Sequence, residues 1–126
     1  MTKFMLLQNY GAGAACDAPM TEWALEDIKS LAGTPPATLK FIEHGMQRTA
    51  ALASAVRPPS ELADAHALFV SAVNLAQNAA TIRREATLSE SLARAWDASS
   101  AAAGALMLGA KARADIQKVL RRPQLQ

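Results

Sequence analysis

Only one cysteine, Cys16, stands among 126 residues, so an intramolecular disulfide framework and every zinc motif built on paired cysteines are excluded. Aromatic residues are scarce at 5%, and valine and isoleucine number four each. Those are the residue types that fit a pleated surface, and their scarcity argues against an all-β domain. Strong charge of either sign is also lacking, with a net charge of +2 and 19% charged residues. That balance fits neither a highly charged disordered chain nor a basic nucleic-acid binder. Arginines and lysines gather only at Arg83-Arg84 and at Lys118, Arg121 and Arg122, with no aromatics between them, so no nucleic-acid partner is expected. The longest uncharged stretch in the helical part, Ala98 to Ala110, has 13 residues, short of the roughly 20 that cross a bilayer. No membrane span is expected.

Alanine fills the space these absences leave. Hydrophobic residues make up 51% of the chain, and 29 of them are Ala against 15 Leu. Alanine is the best helix former and adds little bulk, so the composition predicts a mainly α domain whose helices approach closely around a thin core. Lys3 to Tyr10 is the one stretch with strand character: Phe4-Met5-Leu6-Leu7 suits a short strand buried on both faces, and Gly11 and Gly13 end it. Thr21 then caps a small helix through Lys29, closed by Leu31-Ala32-Gly33. Thr34-Pro35-Pro36 starts a longer helix, in which Leu39, Ile42, Met46, Thr49, Ala50, Ala53 and Val56 recur at helical steps. Pro58-Pro59 breaks it.

The next helix is predicted from about Pro59 to Glu85, with a stripe of Leu62, His66, Phe69, Val73, Ala76 and Ala80 and with Arg83 and Arg84 at its negative end. Thr87-Leu88-Ser89-Glu90 matches a capping box, which places a turn near residues 86–88. The competing reading is one continuous helix of about 60 residues. The last helix runs from Leu88 to about Leu120, with Leu92, Trp96, Ser99, Ala103, Leu106 and Ala110 as its stripe and Pro123 as its stop. In that register Phe69 faces Leu106, Val73 faces Ala102 or Ala103, Trp96 packs on Ala79 and Ala80, and His66 lies opposite Gly109 and Ala110. The expected architecture is an antiparallel three-helix bundle over residues 34–122. It follows a leader, residues 1–33, on which the bundle's stripes do not depend, and precedes a tail, 123–126.

Residues Met1 to Ser30 carry a resemblance. Lys3, Phe4, Met5, Leu6, Leu7, Tyr10, Pro19, Met20, Glu22, Trp23, Glu26, Asp27 and Ile28 match the opening of YCII-related (DGPF-type) proteins, in which a strand leads through a Gly-rich loop to a Met-Thr-Glu-Trp helix start. The resemblance covers about a quarter of the chain and then stops. The family's helix continues to a histidine, whereas Ser30-Leu31-Ala32-Gly33 follows here, and no Asp-Gly-Pro-Phe occurs. The later strands of the family's ferredoxin-like fold are missing as well, so no catalytic residue carries over.

Residues able to do chemistry are few. His44 follows Glu43, and His66 lies two after Asp64, and neither spacing puts ligands on one helix face. No metal site is expected. Ser99 and Ser100 beside Asp97 have no histidine within a turn and no nucleophile elbow, and read as small residues at a helix crossing. The Asp17 charge beside Cys16 does not favour a thiolate. Gly11-Ala12-Gly13 lacks the endings of a phosphate loop. Gly13-Ala14-Ala15-Cys16 has the outline of a lipoprotein processing site, but its apolar run is short of the roughly 7–15 residues a signal needs. A cytoplasmic location is expected, with export through Cys16 the alternative. Neither a cofactor nor catalysis is expected. The sequence points instead to a helical interaction module that packs on itself or on another protein, since thin alanine faces bury little area in a chain this short. The alternative is a small-molecule-binding or enzyme-like protein inheriting a pocket near Tyr10, Trp23 or Asp27. Candidate pocket or interface residues are therefore Tyr10, Trp23, Asp27, His66, Phe69, Trp96 and Leu106.

Overall fold

The structure is a computed structural model and describes residues 22–121, of which 87% are helical and none form a strand. The expected strand at 3–10, with Tyr10 and Cys16, lies outside the described residues. Helix α1 covers residues 22–29, α2 Pro36–Ala55, α3 Ala63–Ser89 and α4 Leu92–Leu120, with a single 3₁₀ turn, Ser60–Leu62, ahead of α3. The helices pack as a bundle, as the composition predicts.

Local sequence explains most boundaries. Pro36 occupies the first position of α2, where its missing N–H has no intrahelical acceptor in any case. The helix ends at Val56, whose extended backbone (ψ 133°) leads into Arg57-Pro58-Pro59. At the end of α1 the N–H of Ala32 donates to the Asp27 carbonyl at 2.9 Å, with Leu31 left-handed at φ 63°. The same closure ends α3: Ser91 N–H donates to the Ala86 carbonyl at 2.9 Å, with Glu90 left-handed at φ 54°. Both are Schellman turns built without glycine, a conformation that disfavours side chains by about 1–2 kcal/mol.

That second turn corrects the expected hairpin. α3 runs on to Ser89, and Thr87 lies inside it, its hydroxyl donating to the Arg83 carbonyl. The cap of α4 is Ser91, whose Oγ accepts from Arg94 N–H. Moving the turn toward the C-terminus shifts the register. Ala72 lies opposite Gly109, 4.0 Å from where a Cβ would sit, and Leu75 lies opposite Gly104. His66 is therefore not the residue facing Gly109, and Arg83 and Arg84 are not at the helix end. Trp96 does not pack on Ala79 and Ala80: it is 57% exposed. The buried stripe of α4 is Ala95, Ala98, Ser99, Ala102, Ala105 and Ala112.

Helix α3 is central. Both α2 and α4 pack along it, while α2 and α4 have no close backbone approach to each other. Helix α1 fills the space between those two. Leu25 and Ile28 join Leu39 and Met46 of α2, Ala76, Ala79 and Ala80 of α3, and Ala98, Ala102 and Ala105 of α4 in one core. Ile28 and Leu39 are the largest fully buried side chains. Residues 22–33 are thus joined to the bundle through Leu25 and Ile28. Ser99 Oγ donates to the Lys29 carbonyl at 2.6 Å, Arg83 to the Ala32 carbonyl at 3.2 Å, and Arg113 pairs with Glu22.

Candidate functional site

Two surfaces and one buried polar cluster carry the chemistry of the described residues. The first surface is an open groove of about 400 Å³ where α1 turns into α2, lined among others by Trp23, Asp27, Gly33, Thr34, Thr38 and Ile42. It lies between the Schellman turn at Leu31 and the Pro35-Pro36 start of α2. Trp23, 67% exposed, and Asp27, half-buried, both line this groove. Its walls are mainly small and apolar, and Asp27 contributes the one charged side chain among those lining it.

The second surface runs along α4. At 100° per residue, Leu92, Trp96, Ser100, Ala103, Met107, Ala110 and Ala114 fall within an arc of about 80°. Leu92, Trp96 and Met107 are 67%, 57% and 74% exposed. Bulk is inverted on this helix, with alanines inward and large apolar residues outward. Leu106, at the edge of that arc, is partly buried against the core. His66 is buried and Phe69 half-buried near the N-terminal end of α3, so neither belongs to the groove or to this face.

The polar cluster joins α2 to α3, and it escapes an inspection of apolar periodicity alone. Glu43 occupies the core stripe Leu39, Glu43, Met46, Ala50, Ala53 and is buried. Its Oε1 accepts from Thr81 Oγ1 at 2.6 Å, and its Oε2 accepts from Arg84 Nε at 2.8 Å. The Arg84 hydrogen bond holds the Glu43 carboxyl below the usual carboxylate range, against the opposing effect of burial and with help from Thr81. Thr81 and Arg84, three apart on α3, meet a carboxylate on the facing stripe, and that spacing was the available signal. With every oxygen engaged by protein donors, the cluster reads as a clamp between helices.

No protein-family model matches the chain, and neither curated proteins nor solved structures match it. No helix among the described residues is long and apolar enough to cross a membrane.

Proposed function

We propose that this chain is a non-catalytic helical interaction module that binds a protein partner through the outer face of α4. The supporting observation is that face itself: Leu92, Trp96 and Met107 share one arc of a single helix with small residues between them. Exposed apolar residues scattered singly need no explanation, whereas a continuous stripe of them marks an interaction surface. Trp and Met are enriched at the centres of such surfaces, and alanines let another backbone come close. A photo-crosslinking residue in place of Met107, in cells that naturally make the protein, is expected to give protein adducts. The same residue in place of Asp64, on the exposed start of α3, is the comparison. Equal labelling at both positions would refute the reading.

The groove supports a second reading, small-molecule binding beside Trp23 and Asp27. Its volume lies within the range of about 300–1,000 Å³ usual for ligand sites, although it is open rather than enclosing. A small cationic aromatic compound is the probe its chemistry selects, since Asp27 and the Trp23 ring both attract cations. Saturable quenching of Trp23 fluorescence in a Trp96→Phe background, lost in Asp27→Asn, is the expected result. Quenching that never saturates would remove this reading.

A further inference from the structure

The outer side of α2 is a further exposed surface, and its chemistry differs from that of α4. At 100° per residue Lys40, Phe41, His44, Arg48 and Leu52 fall within an arc of about 120°, opposite the buried stripe from Leu39 to Ala53. All of them are exposed, Phe41 and Leu52 at 64% and 71%. The Arg48 guanidinium reaches over Gly45, 3.9 Å from where a Cβ would stand, in the interval between those two apolar side chains. No acidic side chain shares this face. The one carboxylate of α2, Glu43, is buried on the other side and held by Arg84 and Thr81.

The cations of this face also differ from those elsewhere. Lys29, Arg84, Arg94, Lys111 and Arg113 each pair with a carboxylate of the chain. Lys40 and Arg48 have no such partner among the described residues. A face that is apolar and cationic at once, with its charge uncompensated, selects an anionic partner that also receives hydrocarbon.

Spacing decides which kind of partner that is. Phe41 and Leu52 stand about 16 Å apart along the axis, with His44 and Arg48 between them. A protein interface buries a contiguous apolar centre from which charge is depleted, and this face offers none. Nucleic acid would engage the cations and leave Leu52 in water. Fluid lipid receives each apolar side chain separately, while Lys40 and Arg48 keep their charged heads at the surface on long stems.

We infer that the outer face of α2 rests on an anionic lipid bilayer, with Phe41 and Leu52 below the headgroups and Lys40 and Arg48 among the phosphates. The helix lies along the surface rather than across the membrane, in keeping with its limited apolar length. Two cations and two apolar side chains make the contact reversible and sensitive to salt. It leaves the α4 face open, since α2 and α4 pack along α3 without close backbone approach to each other. This inference and the interaction reading therefore stand or fall separately.

Sedimentation of the full chain with vesicles tests it. The chain is expected to bind vesicles of phosphatidylcholine mixed with phosphatidylglycerol, and not vesicles of phosphatidylcholine alone. Raising salt from about 0.05 M to about 0.5 M should release it. Lys40→Gln and Arg48→Gln should each weaken binding roughly fivefold, and Phe41→Ser and Leu52→Ser roughly tenfold each. Lys118→Gln and Leu88→Ser remove the same kinds of side chain from exposed positions on α4 and α3, and should leave binding unchanged. Circular dichroism checks that every variant remains folded. Phe41→Trp in a Trp23→Phe, Trp96→Phe background should shift its emission to the blue on the mixed vesicles. Absence of binding to the mixed vesicles at low salt overturns the proposal, and so does equal binding to phosphatidylcholine alone. Binding weakened as much by Lys118→Gln and Leu88→Ser would mean that α2 is not the face in contact. Binding indifferent to both Phe41→Ser and Leu52→Ser, shared with a DNA duplex or not, is adsorption by charge alone and overturns it as well.

Discussion

The two halves of the core exclude water by opposite means. Around α1 and α2 the work is done by large side chains, Leu25, Ile28, Leu39 and Met46. Between α3 and α4 it is done by Ala76, Ala79, Ala80, Ala98, Ala102 and Ala105, several of them with no exposed surface. In the first half stability comes from apolar area on each residue, about 25 cal/mol per Å². In the second it comes from backbones close enough for many small contacts, each worth only about 0.1–0.2 kcal/mol. The halves should therefore fail in opposite directions: one when a side chain shrinks, the other when one grows.

The largest effect should come from shrinking. Ile28→Ala empties a site at the meeting of three helices and is expected to cost about 2–5 kcal/mol, read from the shift in urea midpoint. The same experiment checks whether α1 belongs to the fold, because a detached leader would leave the midpoint unchanged. Growth in the other half comes next. Ala98→Leu forces three heavy atoms into a site with no exposed surface and should cost about 1–3 kcal/mol. If Ala98→Leu proved neutral, the alanine seam would be looser than its burial implies.

Glu43 sharpens the comparison because it is a polar device in the half built from large residues. Glu43→Gln keeps the shape and loses the charge, weakening the hydrogen bonds from Arg84 and Thr81. A cost of about 1–2 kcal/mol at neutral pH is expected. The sign with pH follows from the lowered Glu43 pKa, caused first by the Arg84 hydrogen bond. A carboxyl whose folded pKa is depressed contributes fully above its unfolded pKa, and the contribution is lost as pH falls through the folded value. The gap between wild type and Glu43→Gln should therefore be constant at neutral pH and close below about pH 4.3. A gap that widened in acid would mean that burial, not Arg84, governs the group.

How much of this was readable beforehand depends on how much alanine surrounds a residue. The helices and the break at Pro58-Pro59 were readable because proline chemistry is local. The small helix ending near Lys29 was readable from the Leu31-Ala32-Gly33 that follows it. Turn position was not: Thr87 with Glu90 has the form of a capping box, whereas the chain closes on a left-handed Glu90 and caps with Ser91. A few residues of displacement then turned α4 about its axis, and Trp96 moved from the expected interior to the surface. Apolar periodicity alone did not separate the two registers, because alanine falls on every face of α4. Glu43 was missed because a stripe counted only in apolar residues passes over a carboxylate that is buried through its partners. Trp23 and Asp27, singled out from the leader, both line the groove, whereas the outer face of α4 was not legible as a surface.

The smallest effects separate the two halves most directly. Gly45 lies inside α2, and an added Cβ there would meet only the far end of Arg48, at 3.9 Å. Gly45→Ala should therefore collect the helix-propensity gain of about 0.5–1 kcal/mol. Gly104 lies inside α4, where an added Cβ would stand 2.9 Å from Leu75 Cδ2. Leu75 is only partly buried, so its side chain can turn aside, at a rotamer cost of order 0.5–1.5 kcal/mol. Gain and cost are then of similar size, and Gly104→Ala should fall within about 1 kcal/mol of wild type. Because the propensity gain is common to both substitutions, the difference between their urea midpoints measures what close approach to α3 costs a single methyl group. Equal stabilisation by both would show that α4 stands further from α3 than the Leu75 contact implies, and the contrast between the two halves would then lose its physical basis.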